Sequence, residues 1–154
     1  MKSQKNRQHK KLTLSQYVHR RNGVALGAPG SLRNMLYRSL GAATFAEFWR
    51  YWNPVWGYGL GKYIFTPLKR IFPTIIALIM TFVFSGLLHD LAIIIVKGSV
   101  VIIFAPWFLL LGIGVVLGQE LGINFSSKSW LFRASINLIY LIACYILSRL
   151  AMSI

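Results

Sequence analysis

Three long apolar runs fill the C-terminal half of the chain and constrain its fold more than any other feature. They cover residues 73–96, 100–118 and 131–154. A helix needs about 20 residues to cross the hydrocarbon layer of a membrane, so each run is long enough for one crossing. The short Lys97-Gly98-Ser99 turn predicts that the first two runs form an antiparallel helical hairpin. The sequence therefore predicts an all-α integral membrane protein with about three transmembrane helices.

The composition agrees with a membrane location. The chain of 154 residues is 56% hydrophobic and only 13% charged, whereas an average soluble domain has about 25% charged residues. Cys144 is the only cysteine, which excludes an intramolecular disulfide and a multi-cysteine metal site. We expect no metal site and no tightly bound cofactor.

The charge is strongly basic and concentrated near the N-terminus. Seventeen Lys and Arg face three acids, and thirteen of the basic residues precede Ile71. Such a leader is suited to nucleic acid, anionic lipid or a phosphorylated substrate. Next to apolar spans, it is best interpreted as a signal for a cytoplasmic N-terminus. We expect contact with membrane lipids, no nucleic-acid partner, and a C-terminus outside after three crossings.

Composition divides the chain into three parts. Residues 1–30 are polar, basic and rich in glycine, and we expect a partly disordered cytoplasmic arm. Residues 31–72 form an amphipathic or interfacial segment. Residues 73–154 form the transmembrane helical region.

The middle part combines aromatic side chains, glycines and positive charges. Ser31 is suited to cap a short helix over residues 32–40, and a second amphipathic stretch covers residues 44–52. Residues 45–72 are too polar for an ordinary span, and Pro54 interrupts regular helix there. These features predict an interfacial or re-entrant segment in front of the first span.

The first span contains the ionisable residues that are most informative about function. His89 lies well within the apolar run, and Asp90 follows it directly. Ionisable groups inside a membrane are costly unless they are paired or line a wet cavity. Ser85 precedes His89 by four residues, so the two share a helix face. Two interpretations remain open: His89 performs acid/base chemistry, or Asp90 lies near the outer interface while His89 holds a neighbouring helix.

Three motifs in a fixed order add a family resemblance. FWRYWN at residues 48–53 is followed by YIFTPL at residues 63–68 and by TFVFSGLLHD at residues 81–90. Together they resemble the membrane-bound O-acyltransferase family. The resemblance implies that His89 matches the essential histidine of the family and Asn53 its partner polar position. It also implies transfer of an acyl group from a thioester such as acyl-CoA to a hydroxyl on a lipid or glycan.

The resemblance gives these residues roles. His89 is the implied general base, and Asn53 is implied to orient the acceptor or to hydrogen-bond the carbonyl oxygen. An alternative for Asn53 is that it only shapes the turn before Pro54. The further candidates for substrate binding are Trp52, Ser85, Lys69 and Arg70.

These further candidates also have structural interpretations. The Lys69-Arg70 pair is suited to coenzyme A phosphates, or alternatively to anchoring at the membrane interface. Trp52 is suited to packing the site, or to interfacial anchoring.

Typical members of this family enclose their substrates within many more helices than are expected here. We therefore expect a homo-oligomer or a partner membrane protein, and Gly114 and Gly118 provide a small-residue face for such assembly. The alternative to catalysis is a membrane subunit or scaffold that retains part of the acyltransferase fold. A third possibility is a basic membrane-surface binder that depends on residues 1–40 and not on His89.

Overall fold

Helices account for all regular secondary structure in the part of the chain that the structure describes. A computed structural model describes residues 12–100 and 102–152. In chain order the elements are α1 (Leu14–Asn22), α2 (Ser31–Leu40), α3 (Phe45–Tyr51), α4 (Pro54–Leu60), a π-helical turn (Gly61–Phe65), α5 (Thr66–Leu68), α6 (Thr74–Lys97), α7 (Phe104–Glu120) and α8 (Trp130–Met152). The predicted all-α class is confirmed for these residues.

The three apolar runs become α6, α7 and α8. The first and the last, with 24 and 23 residues, are long and apolar enough to cross a membrane. The middle helix is shorter, with 17 residues, because it begins at Phe104 and not at residue 100. Pro106 then lies in its first turn, where proline is tolerated because no intrahelical donor is required.

The predicted hairpin of α6 and α7 is present. Gly98, with φ 68°, ends α6 in the left-handed conformation. The two helices approach closely where α7 begins, since a Cβ atom on Gly86 would lie 2.6 Å from the carbonyl oxygen of Phe104. The third helix packs against α7 through Trp107, whose indole donates to the carbonyl of Leu141 at 3.1 Å.

The predicted interfacial segment forms a second hairpin, made of short helices. Along α3, Phe45 stacks on Tyr140 of α8 at 4.1 Å and Trp49 meets Phe82 of α6 edge to face at 5.2 Å. The chain reverses after Trp52 and runs back through α4, the π-helical turn and α5 to the start of α6. We call residues 45–68 the short-helix hairpin.

The N-terminal segment contains a helix that the sequence analysis did not predict. Within residues 1–30, which we expected to be partly disordered, α1 packs on α4, with the ring centroids of Tyr17 and Tyr58 5.4 Å apart. A capping box of Thr13 and Gln16 begins this helix, and it is the sequence signal that the prediction overlooked. Residues 1–11 lie outside the described part of the chain.

The predicted cap of α2 is also wrong. Ser31 is the first residue of the helix, and the cap position is Gly30, with φ 79° and no side-chain hydrogen bond. The Ser31 hydroxyl instead accepts a hydrogen bond of 2.7 Å from the Asn22 amide. It therefore ties α2 to the end of α1.

Candidate active site

A partly open cavity of about 420 Å³ lies between the short-helix hairpin, α1 and α6. Its volume is within the range of small-molecule sites. The lining residues are Tyr17, Arg21, Trp49, Arg50, Trp52, Asn53, Trp56, Gly57, Leu60, Gly61, Phe65, Leu78, Thr81, Phe82, Ser85, His89 and Phe108. Four of the six predicted site residues are therefore brought together: His89, Asn53, Trp52 and Ser85.

The His89 ring is fixed by one hydrogen bond and three aromatic neighbours. Its Nδ1 lies 2.7 Å from the backbone carbonyl oxygen of Ser85. A carbonyl oxygen only accepts, so the neutral imidazole carries its proton on Nδ1 and leaves a lone pair on Nε2. The centroids of Phe108, Phe104 and Trp56 lie 5.3, 5.4 and 5.7 Å from that of His89. This arrangement holds the imidazole in one orientation.

The face shared by Ser85 and His89 is present, and a tryptophan completes it. The Ser85 side chain is buried, and its hydroxyl accepts a 2.9 Å hydrogen bond from the Trp56 indole. The same indole contacts the His89 ring edge to face. Trp56 thus joins the short-helix hairpin to α6 at the site. Sequence reasoning assigned residues 31–72, which contain Trp56, to an amphipathic or interfacial segment and did not include Trp56 among the site residues.

Asn53 lies at the point where the short-helix hairpin reverses. Its backbone is left-handed, with φ 37°, and its Oδ1 accepts a 3.2 Å hydrogen bond from the backbone N–H of Trp56. Asn53 therefore caps α4, and Pro54 occupies the first helical position. Its Nδ2 group forms no hydrogen bond with the described residues. Asn53 therefore shapes the turn before Pro54, as one interpretation predicted. Its Nδ2 group remains available beside the cavity to donate a hydrogen bond.

Asp90 points away from this site. Only 3% of its surface is exposed, and its carboxylate accepts hydrogen bonds of 2.8 Å from the backbone N–H groups of Ile103, Phe104 and Ala105. These contacts define the partners of Asp90 and not its depth in a membrane, so its position near an outer interface stays a prediction. Neighbouring helical residues diverge by about 100°, so Asp90 faces α7 while His89 faces the cavity.

The basic residues of the cavity are not the predicted pair. Arg21 and Arg50 line it, whereas Lys69 and Arg70 are exposed at the end of α5 and do not. The Arg21 guanidinium lies over the Tyr17 ring at 5.1 Å, and its Nε is buried without a hydrogen-bond partner. Sequence reasoning missed Arg21 because it assigned residues 1–30 to a partly disordered arm and did not predict α1.

The sequence around this cavity matches a known protein family. The membrane-bound O-acyltransferase family matches residues 26–113, which is more than half of the chain. The chain belongs to the membrane-bound O-acyltransferase family. The match begins before α2 and ends within α7, so it includes the short-helix hairpin and the cavity residues of α6.

The family assignment confirms the resemblance found in the sequence. Membrane-bound O-acyltransferases are integral membrane proteins, and the two long apolar helices fit that location. Their general activity is O-acyl transfer. A comparison with curated proteins and with solved structures finds no match to this chain.

Proposed function

We propose that this chain transfers an acyl group from an acyl thioester, such as acyl-CoA, to a hydroxyl-bearing lipid or glycan. The observation that supports this most strongly is the hydrogen bond between His89 Nδ1 and the Ser85 carbonyl, which leaves Nε2 as the basic atom beside the cavity. A general base must hold a lone pair within reach of the proton that it removes.

In the proposed reaction, His89 Nε2 takes the proton of the acceptor hydroxyl as the hydroxyl oxygen attacks the thioester carbonyl carbon. A tetrahedral intermediate forms, and its carbonyl oxygen carries the negative charge. The C–S bond then breaks to give the ester, and the departing thiolate takes the proton from His89. The histidine returns to its neutral form with no net consumption of protons.

Asn53 is the proposed donor to the negatively charged oxygen. Its Oδ1 is already engaged by the backbone N–H of Trp56, which fixes the amide plane. The Nδ2 group is therefore left to donate. A donor that is oriented before the reaction stabilises a developing oxyanion without reorganisation.

Arg21 and Arg50 are the proposed contacts for the anionic part of the thioester. They line the same cavity as His89, and no other Lys or Arg among residues 12–100 and 102–152 does. None of the carboxylates in residues 12–100 and 102–152 forms an ion pair with them within 4.0 Å. Guanidinium groups bind phosphate through paired hydrogen bonds, and Arg21 and Arg50 line the cavity whereas Lys69 and Arg70 do not, so the first two fit coenzyme A phosphates better.

The test supplies isotope-labelled acyl-CoA to membranes that contain the chain, and to matched membranes that lack it. Alkali-labile label in lipids and glycans is then measured by mass spectrometry. Label that appears only with the chain identifies the acceptor class. Equal label in both membranes would overturn the proposal and favour a scaffold that retains the acyltransferase fold.

A further inference from the structure

The buried carboxylate of Asp90 accepts three backbone hydrogen bonds, although Asp90 does not line the cavity. Its Oδ1 accepts from the N–H groups of Ile103 and Phe104, and its Oδ2 accepts from that of Ala105. All three distances are 2.8 Å. The carboxylate therefore binds the first free N–H groups of α7 from across the hairpin.

This carboxylate replaces a missing local cap. The first N–H groups of a helix have no partner within the helix, and the residue before α7, Ile103, has no side-chain oxygen to supply one. The negative charge also lies at the positive end of the helix dipole, which stabilises it. In a setting of low dielectric these hydrogen bonds are stronger, and their loss is more costly.

Gly86, one turn before Asp90 on α6, allows the first turn of α7 to come close enough for the Asp90 hydrogen bonds. A Cβ atom at this position would lie 2.6 Å from the Phe104 carbonyl oxygen and 2.7 Å from the Cα of Ala105. Only a glycine lets the first turn of α7 approach α6 this closely. Gly86 and Asp90 together fix where α7 begins.

The position of that first turn matters to His89. Phe104 and Phe108 project from the beginning of α7, and their ring planes are inclined by 33° and 32° to the imidazole. These two phenylalanine rings contact the His89 ring from α7, while Trp56 contacts it from α4. A displacement of the start of α7 would move both phenylalanines away from His89.

We infer that Asp90 is a positioning residue for His89, because it holds the start of α7 so that Phe104 and Phe108 keep the imidazole aligned with the cavity. The expected effect on catalysis rests on the proposed acyl transfer. The position of His89 does not depend on that proposal, and the chemical reactivity of its imidazole measures it separately.

The test variant is Asp90→Asn, which keeps the shape of the side chain but replaces one acceptor oxygen with an amide NH2 group that only donates. Full-length protein in membranes is treated with diethyl pyrocarbonate, which modifies unprotonated imidazole, and the His89 peptide is quantified by mass spectrometry. His19, which is exposed on α1, is the internal reference. We expect His89 to react faster by on the order of tenfold, because one charge-assisted hydrogen bond is lost.

Acyl transfer by the same preparation supplies the second readout. We expect kcat to fall by on the order of tenfold while KM stays within about twofold, since the misaligned base affects the reaction and not substrate binding. Gly86→Ala provides an independent variant if Asp90→Asn fails to fold. It displaces the start of α7 without removing the carboxylate, and we expect the same two changes.

Asn137→Ala is the matched structural control. Asn137 is buried and donates to the backbone carbonyls of Leu40 and Ala42, far along the chain from the Asp90 contacts. We expect it to lower thermal stability but to leave the His89 modification rate and kcat of the folded protein unchanged.

Unchanged His89 reactivity and unchanged kcat in folded Asp90→Asn would overturn the inference. Equal changes in Asn137→Ala would also overturn it, because they would show a general loss of stability. If Asp90→Asn changes His89 reactivity while the wild type transfers no acyl group, the proposed function fails and the positioning role stands.

Discussion

At the scale of single residues, the site combines four residues that the sequence identifies with others that it does not. His89 and Asn53 are found from motifs because the family resemblance lies in short contiguous segments. The role of Asp90 depends on residues 103–105 returning across the hairpin, and no local pattern predicts that. Arg21 reaches the cavity only because α1 packs on α4.

Replacement of Asn53 separates its two roles. Asn53→Asp keeps an oxygen to cap α4 and adds a charge that is favourable at a helix N-terminus, but it removes the Nδ2 donor. We expect stability to be maintained and kcat to fall by about 100- to 1,000-fold, as for the loss of an oxyanion donor. Asn53→Gly, which tolerates the left-handed backbone, is the comparison. Full activity in Asn53→Asp would limit this residue to shaping the turn.

Replacement of Arg21 tests the binding of the thioester. Arg21→Gln removes a cation that lines the cavity, and we expect KM for acyl-CoA to rise by on the order of tenfold with little change in kcat. Arg70→Gln is the control, since Arg70 is exposed and outside the cavity. Initial rates over a range of acyl-CoA concentrations decide the matter. A larger rise in KM for Arg70→Gln than for Arg21→Gln would restore the original assignment.

At the scale of elements, the length and hydropathy of the apolar runs predicted the three long helices. They did not predict which helix faces pack together, because that depends on contacts between distant residues. The Gly114 and Gly118 face, which we expected to serve assembly, is used within the chain. Cβ atoms there would lie 2.5 Å from the Tyr140 ring and 3.3 Å from the Phe45 ring. A small-residue pattern reveals close packing but not the identity of the partner.

A pair of glycine replacements tests this packing. In Gly114→Ala the new methyl group meets Tyr140, and we expect a loss of about 1–3 kcal/mol in the free energy of unfolding. In Gly59→Ala nothing lies within 4 Å of the new Cβ, and helix propensity predicts a gain of about 0.5–1 kcal/mol. Thermal unfolding in detergent measures both. A Gly114→Ala protein as stable as the wild type would show that α7 and α8 pack less closely than described.

At the scale of the whole molecule, α2 and the segment that follows it lie beside the loop between α7 and α8. The Phe125 N–H donates to the Ala43 carbonyl at 2.9 Å, and the Trp130 indole donates to the Tyr37 carbonyl at 3.0 Å. Basic charge predicts that these segments are cytoplasmic. The turn between α6 and α7 then lies on the opposite side of the membrane.

Cysteine labelling in intact cells tests this orientation. Ser99 and Ser126 are exposed and lie in the two loops that flank α7. In a background that lacks Cys144, we expect a membrane-impermeant maleimide to label Ser99→Cys from outside and to label Ser126→Cys only after the cells are opened. The reverse pattern would place the N-terminal helices outside.

The central claim is that His89 is the base of an acyl transfer, and one comparison tests it most directly. His89→Gln and His19→Gln are expressed at equal membrane abundance, and the rate of ester formation from labelled acyl-CoA is measured for each. His89 lines the cavity and His19 does not. We predict that His89→Gln lowers the rate by about 100- to 10,000-fold, as for the loss of a general base, while His19→Gln keeps the wild-type rate. An unchanged rate in His89→Gln would contradict the account.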